Sequence, residues 1–261
     1  MPQYDFQSPR LHVTGALKAG AEITLDKPQG HYLRNVLRLK GGDGVLAFNG
    51  KDGEWQATLA DGKRPVLTLQ KQTRPQTEPL DLHYLFAPLK HERLDYMVQK
   101  AVEMGVSRLQ PVLTRHTQVK RINLERMRAN AIEAAEQCGI LSVPEIGEPA
   151  TFAQALASRK ADRLLLFCDE AADVKDPVAA LADAREGPSA VLPLTMSSAG
   201  GDAQPLALLI GPEGGFAEEE RAALLKLSNV VRLSLGPRIL RADTAAVAAL
   251  ALIQAVLGDW R

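Results

Sequence analysis

The stretch LALLIGPEGGFAEEERAALLKLSNVVRLSL, residues 206–235, decides the fold class. Its first five residues are apolar and predict a buried strand, which a glycine loop joins to a predicted helix at 217–227 and a strand at 230–235. The same alternation continues on both sides, with strands predicted at 106–113 and 164–168 and helices at 124–138, 152–158 and 244–257. Alternation of this kind is typical of an α/β domain with a mainly parallel sheet.

The first 74 residues follow a different pattern. Turns rich in glycine and aspartate separate short β-rich runs at 45–48, 54–59 and 66–70. Strands at this spacing predict a small β-barrel or sandwich, with one helical insertion at 31–39. The polar segment 73–79 contains two prolines and is typical of a stiff connection between domains. We therefore expect one domain at 1–74 and a second at 75–261.

The composition excludes several classes of protein. Lys and Arg together number 31, as do Asp and Glu, and 46% of the residues are hydrophobic, so a polybasic arm, an acidic tail and a disordered chain are all unexpected. Cys138 and Cys168 form no CxxC pair, and the five histidines form no metal-spaced cluster. We predict no disulfide, no metal and a reducing cytoplasm. The longest apolar stretch, 245–257, is shorter than the roughly 20 residues that a membrane span needs.

The glycine loop of the opening stretch is a candidate ligand site. It leads into a helix that begins with Glu218, Glu219 and Glu220, and loops at the carboxyl ends of parallel strands bind ligands in α/β sheets. These carboxylates disfavour a phosphate at the helix N-terminus, and the loop matches neither GxxxxGK[ST] nor GxGxxG. A neutral or cationic ligand is therefore favoured over a nucleotide polyphosphate. Taken alone, the loop is explained equally well as a purely structural turn.

A second loop, LGPRILRAD at 235–243, also joins a strand to a helix. Asp243 or Thr244 is expected to cap that helix. Capping does not explain Arg238 and Arg241, and two cations beside a glycine loop can hold a carboxylate or a nucleic-acid phosphate. The helix that follows is apolar almost all round, which predicts burial in the core or in a subunit interface.

Residues 90–128 form a basic stretch, with nine Lys or Arg against four acidic residues. Ordinary solvated helix faces explain such an excess. The segment 115–121 is nevertheless predicted to be a connection rather than a helix, which favours contact with a partner. In the next predicted helix, the spacing of Met127, Ala131, Ala134 and Cys138 predicts that Cys138 is buried.

Taken together, the motifs are specific to one family. The segments KHERLDYMVQKAVEMGV (90–106), AIEAAEQCG (131–139), LLIGPEGGFAEEE (208–220) and LSLGPRILRADTAA (233–246) resemble the RsmE family of ribosomal RNA uridine-N3 methyltransferases. The segment HYLRNVLRLKGGD (31–43) resembles the PUA-like RNA-binding β-barrel of that family. The resemblance covers nearly the whole chain. It implies a homodimeric SPOUT-type enzyme that uses S-adenosylmethionine, has a trefoil knot and cofactor site at about 206–257, and methylates N3 of one uridine in 16S ribosomal RNA of the small ribosomal subunit.

The resemblance also implies roles for individual residues. The expected cofactor-binding residues are Ile210, Gly211, Pro212, Glu213, Gly214, Gly215, Leu235, Gly236, Arg238, Ile239, Leu240, Thr244 and Ala245. The expected RNA-binding residues are Arg10, Arg34, Arg38, Lys90, Arg93, Arg115, His116, Lys120 and Arg121. We expect Asp243, or else Glu213, to take the uridine N3 proton, and Arg241 or Arg238 to stabilise the resulting negative charge.

Two positions depart from the family pattern. Asp243 stands where the family commonly has Glu, so the carboxylate is kept on a side chain one methylene shorter. Ile140, Leu141 and Ser142 stand where the family commonly has an Arg after the glycine. Any RNA contact made by that Arg is therefore lost or replaced in this chain.

The neutral total charge is the sum of two opposite ends. Residues 1–74 hold 11 basic and 7 acidic residues, whereas residues 146–261 hold 11 and 15. The basic excess falls on the expected RNA-binding domain and the acidic excess on the half expected to hold a cationic cofactor. Two rival functions stay open: an RNA-binding assembly factor without catalysis, which has no use for a cofactor pocket, and an α/β enzyme for a small metabolite, which leaves the β domain without a role.

Overall fold

A computed structural model of the chain describes residues 5, 7–62, 64–119, 121–172, 176–186 and 204–260. Two units are distinguished: residues 1–78 with 132–143, and residues 79–131 with 144–261. The exposed loop expected at 187–205 lies, apart from its last two residues, outside the described residues.

The first unit is built on a five-stranded sheet in the order β1-β3-β4-β5-β2. Its strands are β1 (Arg10–His12), β2 (Glu22–Thr24), β3 (Gly44–Phe48), β4 (Glu54–Leu59) and β5 (Val66–Arg74). β1 and β3 run parallel, and the other three pairs are antiparallel. Alternate residues of the three middle strands pack with Leu33 into the core of this unit, as a half-buried sheet requires.

The predicted helix at 31–39 differs from what the structure shows. Helix α1 (Lys27–His31) begins four residues earlier, because Asp26 caps it and Pro28 fits its first turn. It continues into a π-helical turn, Tyr32–Val36. The predicted range therefore overlaps only the second part of the helical segment and extends three residues beyond its end at Val36.

Glu54 is the centre of a buried ion network in the first unit. Its Oε2 accepts hydrogen bonds from Nε of Arg10 at 3.0 Å and from Nη2 of Arg74 at 2.6 Å. Burial alone would raise the pKa of Glu54, but hydrogen bonds from Arg74, Thr73 and Arg10 hold that pKa below its usual value. The guanidinium of Arg10, which is predicted to bind RNA, is thus buried against Glu54, and its contact with RNA stays a prediction.

The second unit contains a seven-stranded sheet in the order β12-β10-β11-β6-β7-β8, with β9 also paired to β7. Its strands are β6 (Leu82–Phe86), β7 (Arg108–Leu113), β8 (Glu145–Ile146), β9 (Ala150–Thr151), β10 (Leu164–Cys168), β11 (Leu206–Ile210) and β12 (Val230–Leu233). The helices are α2 (His91–Glu103), α3 (Leu124–Cys138), α4 (Phe152–Ala157), α5 (Pro177–Glu186), α6 (Glu218–Leu225) and α7 (Ala242–Val256), of which α3 ends in the first unit. All pairs are parallel, so the carboxyl ends of the strands share one edge. The predicted α/β class with a second, small β domain is confirmed.

Helix α7 packs against α2 and α5. Although its sequence is apolar almost all round, one side is buried and Val247, Ala248, Ala251 and Leu252 are half-buried. The polar residue that interrupts the pattern, Gln254, is fully buried: its Nε2 donates to the Met104 carbonyl at 2.6 Å, and its Oε1 accepts from the Asp259 amide at 3.1 Å. Among the described residues, no helix is long and apolar enough to cross a membrane.

Helix α3 has the predicted bounds, but one prediction about its buried side is wrong. Ala131 and Ala134 are buried, whereas Cys138 is exposed. Cys138 lies about two turns after the buried Ala131, on the same side of α3, but it is the last residue of the helix and is exposed there.

Candidate active site

Three loops meet at the carboxyl edge of the parallel sheet, after β10, β11 and β12. They line a cavity of about 460 Å³, the glycine-loop cavity, to which residues 168–171, 210–216 and 233–240 contribute. β10 lies between β12 and β11 in the sheet, so the three loops are brought together by strand order rather than by sequence proximity. This edge is where open α/β sheets bind ligands.

The glycine-loop cavity brings together twelve of the thirteen residues predicted to bind a cofactor. These are Ile210, Gly211, Pro212, Glu213, Gly214, Gly215, Leu235, Gly236, Arg238, Ile239, Leu240 and Ala245. Thr244 is exposed in the first turn of α7 and does not line the cavity.

The loop after β10 was missed by the sequence analysis. Cys168 at the end of β10 lines the cavity together with Asp169 and Glu170, and the position of these two carboxylates directly after a buried strand was the available signal. Asp169 is buried and accepts hydrogen bonds from Nε of Arg221 at 3.1 Å and from Nε of Arg232 at 2.9 Å. Burial opposes ionisation, but these bonds and the Ala171 amide hold the pKa of Asp169 below its usual value. Burial raises the pKa of Cys168 to about 12, so this side chain is a neutral thiol.

The conformation of the glycine loop depends on the ring of Phe216. This ring packs against Phe152 and Phe167, with centroids 6.2 and 6.1 Å away. A Cβ atom on Gly211 would lie 3.1 Å from both Cε2 and Cζ of Phe216. Gly215 has a φ of +69°, a backbone conformation that residues with a Cβ rarely adopt. Gly211 and Gly215 are therefore required by the fold of the loop itself.

The connection after β7 is hydrogen-bonded to the glycine loop and to α6. Nδ1 of His116 lies 3.2 Å from the Gly214 carbonyl oxygen and 3.1 Å from that of Gly215. Both oxygens only accept, so Nδ1 is the donor. Glu220 accepts from the Arg115 amide at 2.8 Å and from the Ala217 amide at 3.0 Å. One carboxylate of the acidic first turn of α6 is thus committed to holding backbone amides.

A second cavity, of about 710 Å³, lies beside the start of α2 and is called the α2 cavity. Leu89, Lys90 and Arg93 line it on the α2 side, His116 on the side of the connection, and Pro212, Glu213 and Gly214 on the side of the glycine loop. Those three loop residues line both cavities. Arg93 and Glu213 form an ion pair within the α2 cavity.

The three predicted catalytic residues are not all brought together. Glu213 lines both cavities, whereas Asp243 and Arg241 line neither. The predicted cap of α7 is wrong, because the helix begins at Ala242 with Arg241 at the N-cap position. Asp243 and Thr244 consequently lie in the first turn, where Oδ1 of Asp243 accepts from the Thr244 amide at 2.9 Å.

The residues predicted to bind RNA are spread over both units. In the second unit, Lys90, Arg93 and His116 line the α2 cavity, and Arg115 and Arg121 are exposed, while Lys120 lies outside the described residues. In the first unit, Arg38 is exposed with a φ of 58°, and Arg34 donates to the Ala60 carbonyl at 3.3 Å. Within the part of the chain that the structure describes, no group of three His, Cys, Asp or Glu is placed to hold a metal ion.

Comparison with protein families gives two matches. The model of the RNA methyltransferase domain matches residues 76–254, and that of the RNA methyltransferase PUA domain matches residues 25–69. Among curated relatives, ribosomal RNA small subunit methyltransferase E of Rickettsia conorii is 31% identical over 248 residues, which cover 94% of each chain. The protein of the same name from Synechocystis sp. is 34% identical, and the match covers 91% of this chain and 74% of the relative.

Two solved structures are similar along nearly the whole chain. Ribosomal RNA small subunit methyltransferase E from Neisseria gonorrhoeae, bound to S-adenosyl methionine, is 25% identical with a TM-score of 0.80, covering 98% of this chain and 100% of that one. A methyltransferase from Legionella pneumophila, in complex with the cofactor SAM, is 29% identical with a TM-score of 0.78, covering 95% and 98%.

Proposed function

Since this chain belongs to the family of ribosomal RNA small subunit methyltransferase E, we propose that it transfers a methyl group from S-adenosylmethionine to N3 of one uridine in 16S ribosomal RNA. The predicted family and the RNA methyltransferase class are confirmed by that membership. The observation that carries the proposal is the glycine-loop cavity, in which loops from three neighbouring parallel strands meet.

The residues of this cavity fit the proposed cofactor. When bound, S-adenosylmethionine supplies a methyl group activated by its sulfonium charge. The carboxylates of Glu170 and Glu213 offset positive charge, and Arg238 suits the carboxylate of the methionine part. The apolar side chains of Ile239 and Leu240 suit the adenine ring. Asp169 is already paired with two arginines and instead holds the loop after β10 in place.

The acceptor chemistry requires a base, because the imide N3–H of uridine must lose its proton before or during methyl transfer. Of the two carboxylates considered, Glu213 lines both cavities and Asp243 lines neither, so we place Glu213 first as proton acceptor and Asp243 second. Arg238 and Arg241 are the arginines predicted to stabilise the negative charge that forms on the uracil. Arg241 lines neither cavity, and Arg238 lines the glycine-loop cavity, where its proposed partner is the cofactor carboxylate.

The proposed roles of the two domains, the knot, the homodimer and the location follow the same family resemblance. We assign residues 1–74 to RNA binding, through Arg34 and Arg38, and residues 75–261 to methyl transfer, with a trefoil knot at about 206–257. The half-buried apolar residues of α7 support a homodimer, because a second copy would remove them from water. The cytoplasm is the proposed location, since the substrate is ribosomal RNA.

The test combines cofactor binding with product analysis. We expect saturable binding of S-adenosylmethionine in calorimetry of the pure protein, and one N3-methyluridine in 16S ribosomal RNA after incubation with the protein and the cofactor. Mass spectrometry of the digested RNA identifies the methylated base and its position. Failure to bind the cofactor would instead support an RNA-binding assembly factor, and a different methylated base would contradict the N3 assignment.

A further inference from the structure

The α2 cavity and the glycine-loop cavity are neighbours that share Pro212, Glu213 and Gly214 as lining residues. In a group transfer the reacting atoms approach to about 3–3.5 Å, so the acceptor site must adjoin the cofactor site. The residues that line both cavities are three consecutive residues of the glycine loop. The α2 cavity therefore has the position that a methyl acceptor requires.

We infer that the α2 cavity receives the target nucleotide of the RNA, with the base beside Arg93 and its phosphate beside Lys90. This inference rests on the proposed function, because it takes the glycine-loop cavity as the cofactor site.

The size of the cavity suits a single nucleotide. About 710 Å³ lies within the range of roughly 300–1,000 Å³ that small-molecule sites occupy. N3 of uridine is inside the base pair in a duplex, so the enzyme must take an unpaired or flipped-out base. A pocket beside the cofactor site, rather than a groove for a helix, is what this chemistry needs.

The lining matches the parts of a nucleotide. Leu89, Val119 and Pro212 supply apolar surface for the faces of the base. Lys90 is exposed at the start of α2, where its ammonium can bind a phosphate as a point charge. The cavity thus joins an apolar wall to a cation, the combination that a planar base with an anionic backbone requires.

The ion pair between Arg93 and Glu213 adds base selectivity. Both side chains keep part of their surface exposed, 40% for Arg93 and 55% for Glu213, so the pair is open to a ligand. A guanidinium has five N–H donors in a rigid fork, and one carboxylate does not use them all. Uracil presents carbonyl oxygens at positions 2 and 4, whereas cytosine presents an amino donor at position 4. Arg93 therefore favours uracil, and it lies where negative charge on O2 or O4 can be stabilised.

Nucleotide titration of the full chain with bound S-adenosylmethionine tests this site directly. Uridine 5′-monophosphate, followed by NMR, is expected to shift the signals of residues 212–214 and of the Arg93 side chain, and to bind about 10-fold more tightly than cytidine 5′-monophosphate. Arg93→Gln should abolish the preference for uridine, and Arg93→Lys should restore it only in part because the fork is lost. Lys90→Met should weaken both nucleotides equally.

Turnover of 16S ribosomal RNA gives the second readout. Arg93→Gln is expected to lower kcat/KM about 100-fold while the Kd of S-adenosylmethionine stays within about twofold of wild type. Arg126→Gln is the matched control: Arg126 is also an exposed helical arginine paired with a carboxylate, Asp95, but it lines neither cavity.

The outcomes separate the two proposals. If the wild type binds the cofactor and methylates the RNA while Arg93→Gln does so equally well, the nucleotide site is wrong and the proposed function stands. If the wild type fails to methylate, the proposed function fails, and the titration still decides the nucleotide site because it needs no turnover. If uridine 5′-monophosphate shifts only the NMR signals of residues outside the α2 cavity, the assignment of this cavity as the nucleotide site is wrong.

Discussion

Gly211 shows at the level of one residue how the geometry of the glycine loop bears on its proposed ligand binding. Its Cα faces the ring of Phe216, which packs between Phe152 and Phe167, so the loop is held through an aromatic contact with the core. The same loop carries Glu213, which lines both cavities. A displacement of the Phe216 ring would therefore reach the residues proposed to contact both reactants.

Replacement of Gly211 by Ala tests this link. We expect Gly211→Ala to lower the free energy of unfolding by about 1–3 kcal/mol, because its Cβ would lie 3.1 Å from two ring atoms of Phe216 and force a shift. The variant should also bind S-adenosylmethionine more weakly than wild type, because the same loop lines the proposed cofactor site. Urea denaturation and calorimetry measure the two effects.

Gly214→Ala is the control for this change. A Cβ atom on Gly214 would lie 3.6 Å from Cβ of His116, which is ordinary van der Waals contact, and the same loop is altered by the same methyl group. Its stability should stay within about 1 kcal/mol of wild type. Equal unfolding free energies for the two variants would contradict the proposed role of the Phe216 contact.

Among the helices and strands, α3 carries a half-buried carboxyl group that pairs with β1. Oε1 of Glu136 accepts from the His12 amide at 2.8 Å. Burial raises the pKa of Glu136 from 4.5 to about 7, the His12 amide opposes the shift and Glu133 adds to it. A raised pKa means that the folded chain keeps a proton which the unfolded chain has lost. The stability contributed by the protonated group is therefore complete below about pH 4.5 and falls as the pH rises toward 7.

Glu136→Gln should remove this pH dependence. The amide oxygen still accepts from the His12 amide, but no charge has to be buried, so the variant should be more stable than wild type by up to about 3 kcal/mol above pH 7 and equal to it below pH 4.5. Urea denaturation between pH 4 and 8 measures the difference. Burial also lowers the pKa of His12, but this group is present in both proteins and cancels in the comparison.

The exposed Glu133 on the same helix provides a control for charge alone. Glu133→Gln should change stability by no more than about 0.5 kcal/mol over the same pH range, because an exposed carboxylate keeps its water. A constant difference between Glu136→Gln and wild type at every pH would show that burial of the charge is not the cause.

The elements differ in how far the sequence predicts them. β10, β11 and α3 have the predicted bounds, because five-residue apolar runs and a 15-residue helical pattern are long enough to show a period. β8 and β9 have two residues each, too few for any pattern. The loop after β10 has no glycine motif, and its place beside the glycine loop follows from the strand order β12-β10-β11, which local sequence does not encode. The strand–loop–helix pattern predicts the first two loops, the family resemblance adds the ligand they are expected to bind, and the third loop is found only in the fold.

At the scale of the whole molecule, the first unit is discontinuous in sequence. It takes residues 132–143 from between α/β elements of the second unit. Within the first unit, the Arg74 side chain donates to the Gly139 carbonyl at 3.0 Å, and Glu136 accepts from His12. The composition of the polar segment 73–79 predicts a domain boundary there, but nothing in the sequence predicts that residues 132–143 belong to the first unit. A cut after residue 74 therefore separates residues 132–143 from their partners.

A fragment of residues 75–261 tests the consequence. We expect amide hydrogens at 132–138 to exchange faster in the fragment than in the full chain, because Arg74 and His12 are absent. Amides of β10 and β11 should stay protected, since their partners β6 and β12 remain.

The fragment should still bind S-adenosylmethionine, because every residue that lines the glycine-loop cavity lies between 168 and 245. Its methylation of 16S ribosomal RNA should be lost, because the proposed RNA-binding unit is absent. Mass-spectrometric hydrogen exchange and calorimetry measure these effects, with a chain that begins at Asp5 as the control for truncation. Equal protection of residues 132–138 in the fragment and the full chain would mean that α3 holds its last turns without the β unit, and that the cut at residue 74 divides two independent domains.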